Sequence, residues 1–249
     1  MRALAVALLV AFLSLAAAAR AIAASPVGPT YYGVEEQALT QGDVSLLFGQ
    51  QPPAPVNLTA VLGWIYIRQG SFTSQGYNNS ISVQLNVDVV AGNSTPSYLW
   101  AQAVAGLREL GNGTYEVRFW ANVWNLTGPL GLQEGVGSPV RDYSVVYGNV
   151  ITSYSAQGPF LFAGTGWQGL QLPVNLTLAV AAQGGYLGIY YGLGPYLRPL
   201  AIIRLPYPTG IVVWPREGMD AEFVVGGLAS GSEAYVRSWS AEASLRYYA

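Results

Sequence analysis

The sequence predicts an all-β fold: an antiparallel β-sandwich, jelly-roll or lectin-like, in a single large domain. Three observations predict it. The segment ISVQLNVDVV (Ile81 to Val90) alternates strictly, with Ile81, Val83, Leu85, Val87 and Val89 on one side and Ser82, Gln84, Asn86 and Asp88 on the other. That period of two belongs to a strand with one buried face. Similar segments recur at roughly ten-residue spacing, separated by turns drawn from 30 Gly and 15 Pro, the pattern of sandwiches and barrels. Beyond the N-terminus no apolar stripe of helical period has convincing length.

The first segment reads differently. Arg2 is followed by an apolar run from Leu4 to Ala19 and by Ala21-Ile22-Ala23, with small residues where a signal peptidase reads. The run is close to the short limit for spanning a bilayer. The expected division is a cleaved signal peptide over 1–24 and one β domain over 25–249, secreted and without stable membrane insertion. Gln50 to Pro55 (QQPPAP) is a stiff connector or long surface loop. Tyr115 to Trp124 (YEVRFWANVW) is a strand after the turn Gly111-Asn112-Gly113. Leu172 to Val180 (LPVNLTLAV) alternates again, and Gln183-Gly184-Gly185 turns the chain into YLGIYYG. AIIRL and AEFVV complete the strand series.

The missing residue types exclude several chemistries. The chain has no Cys and no His, and its 11 basic residues are all Arg. A Ser-His-Asp triad, a cysteine nucleophile, a Schiff-base lysine and a typical zinc site are therefore absent. No cofactor and no metal are expected. The formal net charge is −2; loss of Arg2 and Arg20 with the signal would take it to about −4, with no basic patch for nucleic acid. With only 13 acidic residues, few carboxylates are lost to protonation in acid. Six N-x-S/T sequons, at Asn57, Asn78, Asn93, Asn112, Asn125 and Asn175, would make a glycoprotein in a host that glycosylates.

Several ordered blocks carry a resemblance: SPVGPTYYGV (Ser25 to Val34), LGWIYI (Leu62 to Ile67), SVQLNVDVV followed by SYLWAQAV (Ser97 to Val104), ANVWNLTG (Ala121 to Gly128) and MDAEFVVGG (Met219 to Gly227). Together they resemble the thermopsin family of archaeal secreted acid proteases over nearly the whole mature chain. The resemblance implies an exported acid endopeptidase acting on extracellular polypeptides. It also carries departures. Ala121 stands where the family pattern often has Asp before Asn-Val-Trp-Asn, and Ala103 where Asp or Asn follows Trp-x-Gln. A catalytically inactive relative, serving as a structural or carbohydrate-binding cell-surface sandwich, is the competing expectation.

Without metal or covalent nucleophile, peptide hydrolysis needs an activated water, a group to take its proton and a group to give one to the leaving nitrogen. Two carboxylates can do this, or a carboxylate with an amide that polarises the oxyanion. Asp220 and Glu222 share one face of a strand, and Gln102 lies with Tyr98 and Trp100 on one face of another. The expected machinery is a Gln102/Glu222 water-activating pair with Asp220 as second carboxylate. Trp100, Trp120, Asn122 and Trp124 are the expected cleft residues. Each has a structural alternative: Asp220 as a turn residue after Gly218, Glu222 paired with Arg216 or Arg237, Gln102 bonded within the sheet, and the tryptophans as a core layer. Asp88 is expected in solvent at the end of a polar strand face, and Asp142 in a surface turn.

Overall fold

The computed structural model describes residues 31–35, 44–45, 56–74, 80–92, 97–126, 142–152, 161–194, 196–213, 221–226 and 234–249. The expected signal peptide, the Gln50 to Pro55 connector and Asp220 lie outside these residues. The described residues form strands and turns and contain no helix; thus none is a helix long and apolar enough to cross a membrane. In chain order the strands are β1 (Tyr31–Glu35), β2 (Val44–Ser45), β3 (Val56–Leu58), β4 (Ala60–Ser74), β5 (Ser80–Ala91), β6 (Ser97–Gly111), β7 (Thr114–Leu126), β8 (Ser144–Tyr147) and β9 (Val150–Thr152). They continue with β10 (Leu161–Gly164), β11 (Gln168–Leu170), β12 (Val174–Gln183), β13 (Tyr186–Leu193), β14 (Arg198–Arg204), β15 (Thr209–Val213), β16 (Ala221–Gly226) and β17 (Ala234–Tyr248).

These strands make two antiparallel sheets. A seven-stranded sheet runs β1-β17-β4-β12-β13-β14-β8, and a ten-stranded sheet runs β2-β16-β5-β6-β7-β10-β9, with β11 on β7 and β15 on β5 and β3. The turns that set register are those the sequence marks. Asn112 and Gly113 both have positive φ, 54° and 72°, as the two central residues of a type I′ hairpin must. Gly184 and Gly185, at 59° and 85°, do the same between β12 and β13. Asp142 sits exposed in a bend, as expected.

One apolar core lies between the sheets. The odd-numbered residues of β5, β6, β7 and β16 enter it, including Leu85, Ala103, Phe119, Ala121 and Phe223, against Ile65, Leu178, Ile189 and Leu245 of the facing sheet. Phe119 packs on Tyr191 with ring centroids 4.3 Å apart. Phe223 is 1% exposed, and burying such a ring contributes about 1.5–3 kcal/mol. It fits because β4 opposes it with Gly63: a Cβ there would lie 2.4 Å from Phe223 Cδ2. This contact fixes the depth of β16, the strand that carries Glu222.

Candidate functional site on the outer face of the ten-stranded sheet

Because side chains alternate along a strand, the residues between the core positions project from the far side of the same sheet. Register then aligns them into rows. Glu222 of β16 pairs with Asn86 of β5, Asn86 with Gln102 of β6, and Gln102 with Asn122 of β7. One row therefore crosses four strands as Glu222, Asn86, Gln102, Asn122. In the next row, two residues along, Asp88 faces Trp100 and Trp100 faces Trp124. On the other side Gln84 faces Val104, and Val104 faces Trp120.

The amides of the central row bond to one another in a single direction. Asn122 Nδ2 donates to Gln102 Oε1 at 3.2 Å. Gln102 Nε2 donates to Asn86 Oδ1 at 2.9 Å and more weakly to Gln84 Oε1 at 3.4 Å. Gln84 Nε2 in turn donates to Ser82 Oγ at 2.7 Å. Gln102 and Asn86 are each 6% exposed, so these bonds form where water competes little, and chained amides polarise one another. Asn86 Oδ1 is engaged by Gln102, and Asn86 is the cross-strand neighbour of Glu222 on β16. The donors of the chain thus run from β7 through β6 to β5, the strand beside Glu222.

The structure places Gln102 and Glu222 on one face and in one row, but with β5 between them. At about 4.8 Å per strand their Cα atoms are about 9.6 Å apart, and Asn86 occupies the interval. Trp100, Trp120, Asn122 and Trp124 share this face. Trp100 and Trp124 stack at 4.8 Å with planes tilted by 31°, and Trp100 Nε1 is buried without a hydrogen-bond partner. The face is half-covered rather than open: Trp120 is 9% exposed, while Glu222, Asn122, Trp100 and Trp124 are half-buried.

One expectation is overturned. Asp88 is not solvated; it is 1% exposed. Alternation correctly gives it the face of Asn86, but being opposite the core is not being in water when that face is itself covered. Asp88 and Glu222 sit on neighbouring strands, offset by two residues, a diagonal at which long side chains reach each other. The other carboxylates with described side chains are engaged or remote. Glu116 pairs with Arg108, Glu242 with Arg68, Glu109 accepts from Ser71 Oγ at 3.1 Å, and Asp142 is in its turn. Among the described residues Glu222 has no ion-pair partner. Sequence reasoning missed Asn86 and Asp88 as site residues. The hairpin gave a signal good to one residue for the rest of the row: a two-residue turn at Asn112 and Gly113 would set Gln102 opposite Val123, and the irregularity between Glu109 and Gly111 moves it to Asn122, so that partners lie symmetrically about Asn112.

The same symmetry pairs the two positions that depart from the family pattern. Ala103 and Ala121 are direct partners across β6 and β7, and both are 0% exposed in the core between the sheets. Carboxylates there would point away from the amide row, so their replacement by alanine leaves the chemistry of the outer face intact. An Ala121→Asp variant is expected to lose about 3 kcal/mol or more of stability at neutral pH. Burial would raise that carboxyl's folded pKa above its unfolded value near 3.9. The penalty is therefore smallest below pH 4 and grows as pH rises, which denaturant melts at pH 3 and pH 7 measure.

Two other features stand outside this row. A groove of about 370 Å³ on the outer face of the seven-stranded sheet is lined by Leu62, Trp64, Asn175, Thr177, Gly194, Leu197 and Arg246. It contains no carboxylate and no acid–base partner, so it does not suit the hydrolytic chemistry. Of the sequons, Asn57, Asn112 and Asn175 are exposed, but Asn125 is 6% exposed with its Oδ1 unbonded, which leaves no room for a glycan. Asn78 and Asn93 lie outside the described residues. No group of three or more metal-ligating side chains occurs among the described residues.

The family model described as Thermopsin matches residues 11–203, which include the amide residues of β5, β6 and β7. Glu222 lies beyond the matched span and joins the site through the pairing of β16 with β5. No curated protein matches the chain.

Proposed function

The chain belongs to the thermopsin family, a family of peptidases, and from that premise we propose that it is a secreted acid endopeptidase whose active site is the outer face of the ten-stranded sheet. The observation that carries the reading is the row Glu222, Asn86, Gln102, Asn122, in which a chain of hydrogen-bonded amides stands beside a carboxylate without an ion-pair partner among the described residues.

In the proposed reaction a water bound beside Glu222 attacks the carbonyl carbon of a substrate peptide bond, and Glu222 takes the water's proton. Negative charge gathers on the carbonyl oxygen. Asn86 Nδ2 donates to that oxygen, and Gln102 and Asn122 hold the Asn86 amide in its donating orientation. Preorganised donors of this kind stabilise a developing oxyanion because they need not reorient during the step. Asp88 supplies a proton to the leaving nitrogen as the carbon–nitrogen bond breaks. The sum is addition of one water across the peptide bond, giving a carboxyl and an amine. The substrate chain lies over the stacked Trp100 and Trp124 and beside Trp120 and Asn122, whose indoles offer apolar contact.

The test is digestion of an unfolded protein by the matured chain from pH 2 to pH 8, with new amino termini counted. Cleavage at internal bonds with a maximum in the acid range is expected. Absence of new termini at every pH, from folded protein, would favour the non-catalytic reading.

A further inference from the structure

The outer face of the ten-stranded sheet carries a second cluster, set apart from the amide row. Arg118 lies on β7 with Trp120 and Asn122, four residues before Asn122. Its guanidinium carbon is 4.8 Å from the Trp120 ring centroid and 4.9 Å from that of Trp167. Arg108, its neighbour on β6, lies 4.5 Å from the Trp167 centroid and is neutralised by Glu116. Arg118 has no such neutralisation: it forms no ion pair among the described residues, and its Nε is buried without a hydrogen-bond partner. The indoles attract the cation through their π faces but accept none of its in-plane N–H bonds. A half-buried guanidinium is thus held in place with its charge uncompensated and its terminal fork unspent. A planar fork of this kind matches a carboxylate with two parallel hydrogen bonds.

The geometry points to Arg118 as a specificity subsite for a carboxylate of the bound polypeptide. That identification of the ligand rests on the peptidase reading of the same face. From Asn86, which meets the carbonyl to be cleaved, Arg118 lies two strands across and four residues along, about 16 Å in all and the span of about five residues of an extended substrate crossing the face obliquely. The subsite therefore reads an acidic side chain about five residues from the cleaved bond, with Trp120 beside the intervening chain. Lysine would not replace Arg118, because a point ammonium cannot make the paired bonds.

The test uses tryptophan-free peptides that differ only in Glu or Gln about five residues from the cleaved bond on either side, with amidated C-termini, at pH 5, where a Glu side chain is mostly ionised. Wild-type protein and the Arg118→Leu and Arg118→Lys variants are compared, each first shown to melt cooperatively. Two readouts run in parallel: kcat/KM for cleavage, and Kd from the change in intrinsic tryptophan fluorescence, to which Trp120 and Trp167 contribute. The wild type is expected to favour the Glu peptide about tenfold on one side of the bond, with the preference falling below about twofold in Arg118→Leu and recovering only in part in Arg118→Lys. A Gln peptide ending in a free carboxylate at the same position, favoured in the same Arg118-dependent way, would support carboxylate recognition with the chain end as its source. Equal treatment of all peptides by the wild type, or a preference that survives Arg118→Leu, would overturn the subsite. If Arg118-dependent binding is seen and no peptide is cut, the subsite stands and the peptidase reading fails. If cleavage proceeds without acidic preference, the reverse holds.

Discussion

The Gln102→Leu variant is expected to lose at least about 100-fold in the rate of acid proteolysis, the scale of losing an oriented oxyanion donor, while remaining folded. Gln102 does not touch the substrate in this account; it orients Asn86. Its removal leaves Asn122 Nδ2 and Asn86 Oδ1 without the bonds they make at 3.2 Å and 2.9 Å, in a region where unsatisfied amides cost about 1–3 kcal/mol each. A fall in melting temperature accompanies that loss, so stability alone would not separate a positioning role from a structural one. The Gln102→Glu variant does. Below about pH 4.3, the ordinary Glu pKa, its carboxyl can donate a proton to Asn86 Oδ1 and accept from Asn122. Above that pH the ionised group has no donor and faces the Asn86 oxygen. Activity should therefore recover on the acid side of the profile and vanish on the other, relative to wild type. A Gln102→Glu profile parallel to that of wild type would remove Gln102 from the mechanism.

The second large effect comes from the core. The Gly63→Val variant is expected to lose about 3 kcal/mol of stability and most of the activity, because a branched side chain must enter space held by Phe223. Even one added Cβ lies 2.4 Å from Phe223 Cδ2 and 3.0 Å from Cγ. These atoms belong to a ring that is 1% exposed and has no room to swing away. Overpacking of this kind costs about 1–3 kcal/mol or more, and here it pushes on the residue next to Glu222. Adding Phe223→Leu frees the space. The double variant should regain more than half of the stability lost by Gly63→Val, a non-additivity that denaturant unfolding of both single variants and the pair measures. Additive losses would mean that the two residues do not share the space the structure assigns them.

The inward faces and the turns were legible in the sequence because both are local. Strict alternation from Ile81 to Val90 marks β5 and its buried side, and Asn112-Gly113 and Gly184-Gly185 demand the positive φ they have. The hairpin turn gives the partners of Gln102 and Ala103 only to within one residue, because the irregularity between Glu109 and Gly111 shifts the register that a two-residue turn would set. What the sequence hides is non-local. Glu222 reaches Asn86 only because β16, near the end of the chain, pairs with β5, and no local pattern sets that register. The burial of Asp88 was equally hidden. Its polar neighbours Gln84 and Asn86 describe a strand face turned from the core, and alternation is silent on whether that face is covered. The aromatic strand FWANVWNLTG resolves along the same line: Phe119, Ala121 and Val123 are core, while Trp120, Asn122 and Trp124 belong to the outer face.

The central claim is that Glu222 activates water on that outer face. Its most direct test is the hydrolysis rate of one unfolded protein substrate at the acid optimum by wild type and by Glu222→Gln, both matured and matched in melting behaviour. Exchange of a carboxylate for an isosteric amide on a half-buried strand position should leave the fold unchanged and remove the proton acceptor. A fall of about 100- to 10,000-fold in kcat is expected, the range for loss of a general base, with little change in KM. A Glu222→Gln variant that digests the substrate within about twofold of the wild-type rate would contradict it.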